Sequence, residues 1–169
     1  MPAGYMMGIT EALAASNNLQ AVFEAVACAF QAEIGYRLLT ISTISTEDGL
    51  QATRVWSSHP EVFPVGGTKQ LDSPEWIDTV LTKRQVLVCD TPEALRRMFY
   101  DHEDIAAVNC GSGINVPLIL DDEVIAIVNV FHEPSWFNAK RLDDAKAVLA
   151  LMYAPVVLSR ATGSAKALN

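Results

Sequence analysis

Apolar side chains in the first third of the chain recur at helical spacing. The pattern predicts a helix over residues 18–34. Ser16, Asn17 or Asn18 can cap its start, and Gly35 can end it. The apolar positions that form one face are Leu19, Val22, Phe23, Val26, Ala27, Phe30 and Ile34.

Two runs of β-branched residues follow this helix. YRLLTISTIS, residues 36–45, and QATRVWSS, residues 51–58, flank the turn Glu47-Asp48-Gly49 and predict a hairpin. The stretch 59–71 holds two prolines and a Gly-Gly pair, so it is expected to be a loop.

The middle of the chain predicts short helices around one strand. SPEW, residues 73–76, begins a helix that runs to about Lys83, because Ser73 can cap it and Pro74 suits its first position. QVLVC, residues 85–89, predicts a strand. Asp90-Thr91-Pro92 begins a further helix, and it is expected to break near Tyr100 and resume over 101–107.

The stretch NCGSGINVPLILDDEVIAIVNVFHE, residues 109–133, contains two apolar runs around an acidic turn. It predicts strands over 114–120 and 123–131. A last helix starts near Asn138, with Leu142, Ala145, Leu149, Met152 and Val156 at helical spacing.

This order of elements predicts an α+β domain with an antiparallel sheet of five to six strands. Tight turns make paired strands antiparallel, and the first and last helices are expected to share one face. The helices of 73–107 would lie over the other face, with a cavity beneath them. Residues 1–15 are expected to be an extension with a flexible start, 16–160 the domain, and 161–169 a flexible tail.

Composition narrows the partners of this domain. The formal net charge is −8 and the 12 basic residues are scattered, which disfavours nucleic acid and anionic membranes as partners. No apolar run is long enough to span a bilayer and no signal peptide is evident, so a cytoplasmic location is expected. The three cysteines have no metal-binding spacing, and neither a cofactor nor a metal is expected.

Three stretches resemble the GAF domain family. INVPLILDDEVIAIVNVFHE and SWFNAKRLDDAKAVLALMYAPVVL are similar to its closing strands and final helix, and NNLQAVFEAVACAFQAEIGYRLLTIS to its opening. The resemblance covers about residues 16–159 and is strongest to small stand-alone bacterial members. It implies a sensory domain that binds a small molecule between sheet and middle helices and commonly forms homodimers through terminal helices. For this chain, the response is expected to pass to a separate output protein or to the dimer.

One catalytic alternative stays open within the same family. Free methionine sulfoxide reductases are single GAF domains that use cysteine chemistry, and Cys110 precedes the Val-Pro strand as their nucleophile does. Cys89 could then resolve a disulfide with Cys110. Against this alternative, Cys110 follows a helix, where the dipole disfavours a thiolate.

Aromatic and polar side chains in the segments around the expected cavity are the candidate ligand contacts. The predicted contacts are Trp56, His59, Trp76, Phe99, His102 and Asn115.

Asn115 and Asn129 each interrupt an apolar strand and need a hydrogen-bond partner if buried. A two-residue turn at Asp121-Asp122 would pair Asn115 with Val128, so the two amides are expected on opposite faces. A shift of one residue in the register would put them on the same face.

Overall fold

A computed structural model describes residues 3–15 and 19–167, and it forms one six-stranded antiparallel sheet with helices on both faces. The predicted α+β architecture is confirmed. The strand order is β3-β2-β1-β6-β5-β4. The strands are β1 Leu38–Ser45, β2 Gln51–Ser57, β3 Thr68–Gln70, β4 Leu87–Cys89, β5 Ser112–Leu120 and β6 Glu123–His132.

Helices from the two ends of the chain pack on one face of the sheet and the middle helices lie on the other. The end helices are α1 Ala3–Ala14, α2 Leu19–Glu33, α6 Ala139–Leu149 and α7 Tyr153–Ala167, with a 3-10 turn at Ala150–Met152 between the last two. The middle helices are α3 Pro74–Trp76, which continues as a π-helix over Ile77–Thr82, then α4 Pro92–Met98 and α5 His102–Ala107.

Alternation along β1 explains why the sheet has two apolar faces. Leu39 and Ile41 belong to the core under the end helices, whereas Leu38 belongs to the core under the middle helices. Thr40 and Ser42 share the face of Leu38 and are also buried. The face under the end helices is therefore largely apolar, whereas the face under the middle helices carries buried polar positions.

The predicted helix starts and stops are largely confirmed. The hydroxyl of Ser73 accepts a hydrogen bond from the Trp76 amide, and Asn138 caps α6 in the same way. Gly35 follows α2 with a φ of +78°, a conformation that glycine adopts without strain. The residues proposed to cap the start of α2 lie outside the described part of the chain. Cys28, on α2, is exposed.

One prediction about a connecting segment is wrong, and two terminal segments that were expected to be flexible are helical where the structure describes them. The stretch 59–71 contains β3, because its Thr68–Gln70 backbone pairs with the exposed edge of β2. The expected flexible start is helical from Ala3. Residues 161–167 of the expected tail continue α7. The domain boundaries drawn from the sequence stay a prediction.

Two β-bulges change which side chains share a face. In the β1–β2 pair, Trp56 lies opposite Ile41 and Arg54 opposite Ser42, so Val55 is an extra residue on β2. In the β5–β6 pair, Ile119 lies opposite Val124 and Leu118 opposite Ala126, so Ile125 is an extra residue on β6. Each bulge turns the side chains beyond it to the other face of the sheet.

The bulge on β6 is held by the last helix. Nη1 of Arg160, on α7, lies 3.1 Å from the carbonyl oxygen of Ile125 and donates a hydrogen bond to it. A bulged residue loses regular ladder pairing, so its carbonyl needs another donor. The guanidinium of Arg160 is that donor.

Among the described residues, no helix is long and apolar enough to cross a membrane.

Candidate functional site

A cavity of about 320 Å³ lies between the sheet and the segments that cover its second face. Its size is at the lower end of the range usual for small-molecule sites. The apolar part of its wall comprises Leu38, Phe63, Leu71, Met98, Phe99, Ile105, Ile127 and Phe131.

A row of hydrogen-bonded polar side chains forms part of the cavity wall on the sheet. Nε1 of Trp76 donates to Oδ1 of Asn115 at 2.6 Å, and Nδ2 of Asn115 donates to Oδ1 of Asn129 at 2.8 Å. Nδ2 of Asn129 then donates to the Thr40 hydroxyl at 3.0 Å. All four residues line the cavity, and Thr40 ends the row on β1. We call these four residues the amide row.

The direction of the amide row is set by Trp76. An indole nitrogen can only donate, so Asn115 must turn its oxygen toward Trp76 and its nitrogen toward Asn129. The same requirement then orients Asn129 toward Thr40. The hydrogen bonds of the amide row can therefore run in only one direction, from Trp76 toward Thr40.

The prediction that Asn115 and Asn129 point to opposite faces is wrong. The bulge at Ile125 shifts the β5–β6 register by one residue and places Asn115 directly opposite Asn129. Both amides therefore face the cavity, and each provides the hydrogen-bond partner that the other needs when it is removed from water.

A cationic group, Arg54, lies beyond the hydroxyl end of the amide row. Nη1 of Arg54 donates to the Pro64 carbonyl oxygen at 3.2 Å, and the guanidinium lies 5.3 Å from the Phe63 ring centroid. Its Nε is buried and has no hydrogen-bond partner among the described residues. Burial lowers the pKa of Arg54, while the negative charge of Asp101 opposes that shift.

Lys69, on the edge strand β3, is the second cation in this part of the cavity. Its Nζ lies 4.1 Å from the Tyr100 ring centroid and 3.7 Å from Oδ1 of Asp101. The 3.7 Å between Nζ of Lys69 and Oδ1 of Asp101 is too long for a hydrogen bond. Oδ1 of Asp101 has no hydrogen-bond partner among the described residues. Burial lowers the pKa of Lys69, and Asp101 partly offsets the effect.

Three of the six predicted ligand contacts line the cavity: Trp76, Phe99 and Asn115. Trp56 does not. The bulge at Val55 turns Trp56 to the opposite face, where it packs in the core under the end helices. Its Nε1 has no hydrogen-bond partner among the described residues. Strict alternation along β2 would have placed Trp56 in the cavity beside Arg54.

The two predicted histidines also lie outside the cavity lining. Nδ1 of His59 is 3.0 Å from the Ser58 hydroxyl, and the carbonyl of His59 accepts bonds from the loop that follows. Nδ1 of His102 is 3.0 Å from the carbonyl of Phe99, at the break between α4 and α5. Both imidazoles therefore make local contacts, that of His59 with a neighbouring side chain and that of His102 with a backbone carbonyl.

The environment of Cys89 and Cys110 does not favour nucleophilic chemistry. Both side chains are buried in the core under the middle helices. Burial raises the pKa of each thiol to about 11. A reactive cysteine needs a lowered pKa, because the thiolate is the nucleophile. The nearby Ser112 hydroxyl donates to the carbonyl of Glu133 and has no histidine partner among its described hydrogen bonds.

The glycines beside Ser112 allow close packing. A methyl group on Gly113 would overlap the Phe131 ring, and one on Gly111 would overlap Pro134. Neither glycine has a positive φ. Close approach of neighbouring side chains, and not a left-handed backbone, therefore accounts for glycine at these two positions.

Among the polar lining residues, Thr40, Arg54, Lys69 and Asn129 are absent from the predicted ligand contacts. Thr40 and Ser42 alternate with Leu39 and Ile41, and this period of two is a readable signal of a polar sheet face. Arg54 and Lys69 give no such signal, because a charged residue on a hairpin more often faces solvent.

The GAF domain sequence profile matches residues 16–152, which is more than half of the chain. The chain belongs to the GAF domain family. Comparison with curated protein sequences gives no match.

Solved GAF domains share the fold. The GAF domain of a two-component sensor histidine kinase from Bacillus halodurans has a TM-score of 0.70 at 10% identity, covering 88% of this chain and 99% of that one. The GAF domain of a phosphoenolpyruvate-protein phosphotransferase from Coxiella burnetii has a TM-score of 0.69 at 12% identity, covering 96% of each chain. A methyl-accepting chemotaxis protein segment has a TM-score of 0.63 at 21% identity, covering 91% of this chain and 96% of that one.

Proposed function

We propose that this GAF domain is a regulatory module that binds a small molecule in the cavity between its sheet and its middle helices. The cavity itself carries the proposal, because it combines apolar walls with a few converging polar groups. The fold neighbours include domains of a sensor kinase and of a chemotaxis protein, which is consistent with a sensory role. Occupancy of the cavity, without bond-making, would be the signal.

The loop before β3 is suited to respond to occupancy. Phe63 and Gly67 line the cavity, and Arg54 holds the carbonyl of Pro64 between them. A ligand that contacts Arg54 would compete for this hydrogen bond and shift the loop population. The response would pass to a separate output protein or to a partner copy of the chain. A cytoplasmic location stays a prediction.

Homodimer formation through the terminal helices is part of this proposal. Both α1 and α7 contact α2, and each exposes large apolar side chains. The exposed residues are Met6, Met7 and Leu13 on α1, and Val157 and Leu158 on α7. These exposed apolar side chains on α1 and α7 are the candidate dimer surface.

A cavity-filling variant tests ligand binding. Ser42 lines the cavity, so Ser42→Leu should occupy part of its volume while leaving the fold intact. Ser45→Leu, at the exposed end of the same strand, is the matched control. We expect compounds that raise the melting temperature of wild type to act on Ser45→Leu and to lose their effect on Ser42→Leu. Compounds that stabilise all three proteins equally would contradict binding in the cavity.

A further inference from the structure

The face of the sheet that lines the cavity carries polar side chains on five neighbouring strands. Asn115, Asn129 and Thr40 lie directly opposite one another on β5, β6 and β1. Arg54 lies opposite Ser42, which makes it a diagonal neighbour of Thr40 on the next strand. Lys69 lies opposite Ala52 and is in turn a diagonal neighbour of Arg54. The amide row therefore leads to two cations.

Unused hydrogen-bonding capacity along this row includes three donors, alongside the second lone pair of each accepting oxygen. Each oxygen of the row already accepts one bond: Asn115 from Trp76, Asn129 from Asn115, and Thr40 from Asn129. One N–H of each amide and the Thr40 O–H have no acceptor among the described residues. A group that brings acceptors would satisfy them.

Positive charge also exceeds negative charge around the cavity. Its described lining contains four cations, Arg54, Lys69, Arg96 and Arg97, and two carboxylates, Asp72 and Asp101. This excess contrasts with the net charge of −8 of the whole chain. Arg54 makes no ion pair within 4 Å among the described residues, and Lys69 is paired with Asp101 only at 3.7 Å. Partly buried cations without close counterions favour an anionic ligand.

We infer that the cavity binds a small organic carboxylate, with the carboxylate between the Thr40 end of the amide row and the cations Arg54 and Lys69. The apolar body of the ligand would lie against Phe63, Phe99 and Phe131. This inference rests on the proposed function and adds the chemical class of the ligand. A carboxylate suits the site because it is a pure acceptor and carries the charge opposite to that of Arg54 and Lys69, whereas a protonated amine would carry the same charge as these two cations.

Asp101 acts as the competing anion in this arrangement. Its Oδ1 is the nearest carboxylate oxygen to Lys69, yet it makes no hydrogen bond among the described residues. Asp101 stands before α5 without capping it through its side chain. Removing its charge should therefore leave α5 in place and free Lys69 for a ligand.

Matched probes test the charge of the ligand. Phenylacetate, hexanoate and indole-3-acetate would each be compared with the corresponding primary amide and primary amine by calorimetric titration and thermal shift. We expect binding of at least one carboxylate, about tenfold or more tighter than its amide and amine, because charge-assisted hydrogen bonds are the stronger ones. Binding of that carboxylate should weaken as salt is added.

Two opposite substitutions separate recognition from stability. Lys69→Met should weaken binding of the carboxylate by about tenfold to a hundredfold. Asp101→Asn should tighten it, which a merely structural role would not do. Lys83→Met removes an exposed cation outside the cavity lining, paired with Asp78, and should leave binding unchanged.

The outcomes distinguish the two proposals. The carboxylate inference would be overturned if amides or amines bind as well as the carboxylates and Lys69→Met has no effect on binding. If Ser42→Leu abolishes binding in that case, the cavity is still the binding site. Carboxylates that bind Ser42→Leu as tightly as wild type would overturn both. Failure of all three carboxylates to bind would also overturn the inference, and hits among neutral compounds that are lost in Ser42→Leu would still support the proposed function.

Discussion

Asn115 and Asn129 lie directly opposite each other on adjacent strands, and their side-chain amides are joined by a 2.8 Å hydrogen bond. A bulge at Ile125 creates this pairing, and the Trp76 indole gives it a direction. The pair is the centre of the polar cavity wall, and it links a middle helix to three strands.

The first prediction concerns the bond that orients this pair. Trp76→Phe should reduce the free energy of unfolding by about 1–3 kcal/mol, because Oδ1 of Asn115 loses its donor in a buried site. Trp56→Phe is the matched control, since the Trp56 Nε1 has no hydrogen bond to lose among the described residues. Urea denaturation should show the smaller loss for Trp56→Phe.

A double variant isolates the same interaction. In Trp76→Phe with Asn115→Leu, both partners of the bond are gone, so the combined loss should be smaller than the sum of the two single losses. The hydrogen bond between Trp76 and Asn115 would make no contribution to stability if the losses of unfolding free energy were strictly additive. Equal losses for Trp76→Phe and Trp56→Phe would lead to the same conclusion.

The second prediction concerns the thiols. Cys28 is exposed, whereas Cys89 and Cys110 are buried with pKa values of about 11. At neutral pH about one in ten thousand of each buried thiol would be thiolate. A thiol reagent such as DTNB should label one cysteine rapidly in the native protein, and Cys28→Ser should remove that phase.

The same titration tests the thiol-enzyme alternative. Rapid labelling that persists in Cys28→Ser and disappears in Cys110→Ser would favour a reactive Cys110. Reduction of free methionine sulfoxide by wild type, lost in Cys110→Ser, would replace the sensory proposal.

The third prediction concerns pH and His132. Its ring stacks on Trp136 with 3.6 Å between centroids, and its Nδ1 accepts a hydrogen bond from the Glu133 amide. Burial lowers the pKa of His132 from 6.5, and Arg37 and Arg141 lower it further. The unfolded chain therefore binds a proton more readily than the folded one. Stability contributed by neutral His132 is present above about pH 6.5 and decreases as the pH falls below it.

His132→Phe keeps an aromatic ring on Trp136 and removes the titration. Between about pH 6.5 and about pH 5, the melting temperature of the variant should fall less than that of wild type. Equal decreases in melting temperature for the two proteins over this pH range would rule out His132 as a contributor to the pH dependence of stability.

The fourth prediction concerns the terminal helices. Leu158 is exposed on α7, and Leu158→Glu places a charge in the proposed dimer surface. Light scattering after size exclusion should give a dimer mass for wild type and a monomer mass for the variant. Val88→Glu, an exposed apolar position on the edge strand β4, is the control that should remain dimeric. A monomeric wild type would contradict this part of the proposal.

Much of the fold could be predicted because its signals are local. The helical spacing from Leu19 to Ile34 and the caps at Ser73 and Asn138 depend only on neighbours in the chain. The edge strand β3 was missed for the opposite reason. Three residues in a proline- and glycine-rich stretch become a strand only because the edge of β2 lies beside them.

The candidate site could be predicted only in part. Trp76 and Asn115 lie in elements whose facing follows from regular spacing, and Phe99 directly follows the end of α4. All three line the cavity. Trp56 was assigned to the wrong face because one extra residue, Val55, interrupts the alternation of β2. The neighbouring residues in the sequence give no sign of that bulge.

The sequence by itself determined the order of helices and strands, the antiparallel sheet and the existence of a covered second face, since periodicity and turn residues act over a few positions. Only the tertiary structure decided which polar groups meet there. Strand register depends on contacts between distant residues, such as the bond from Arg160 to the bulge at Ile125, and a shift of one residue moves a side chain from one face of the sheet to the other.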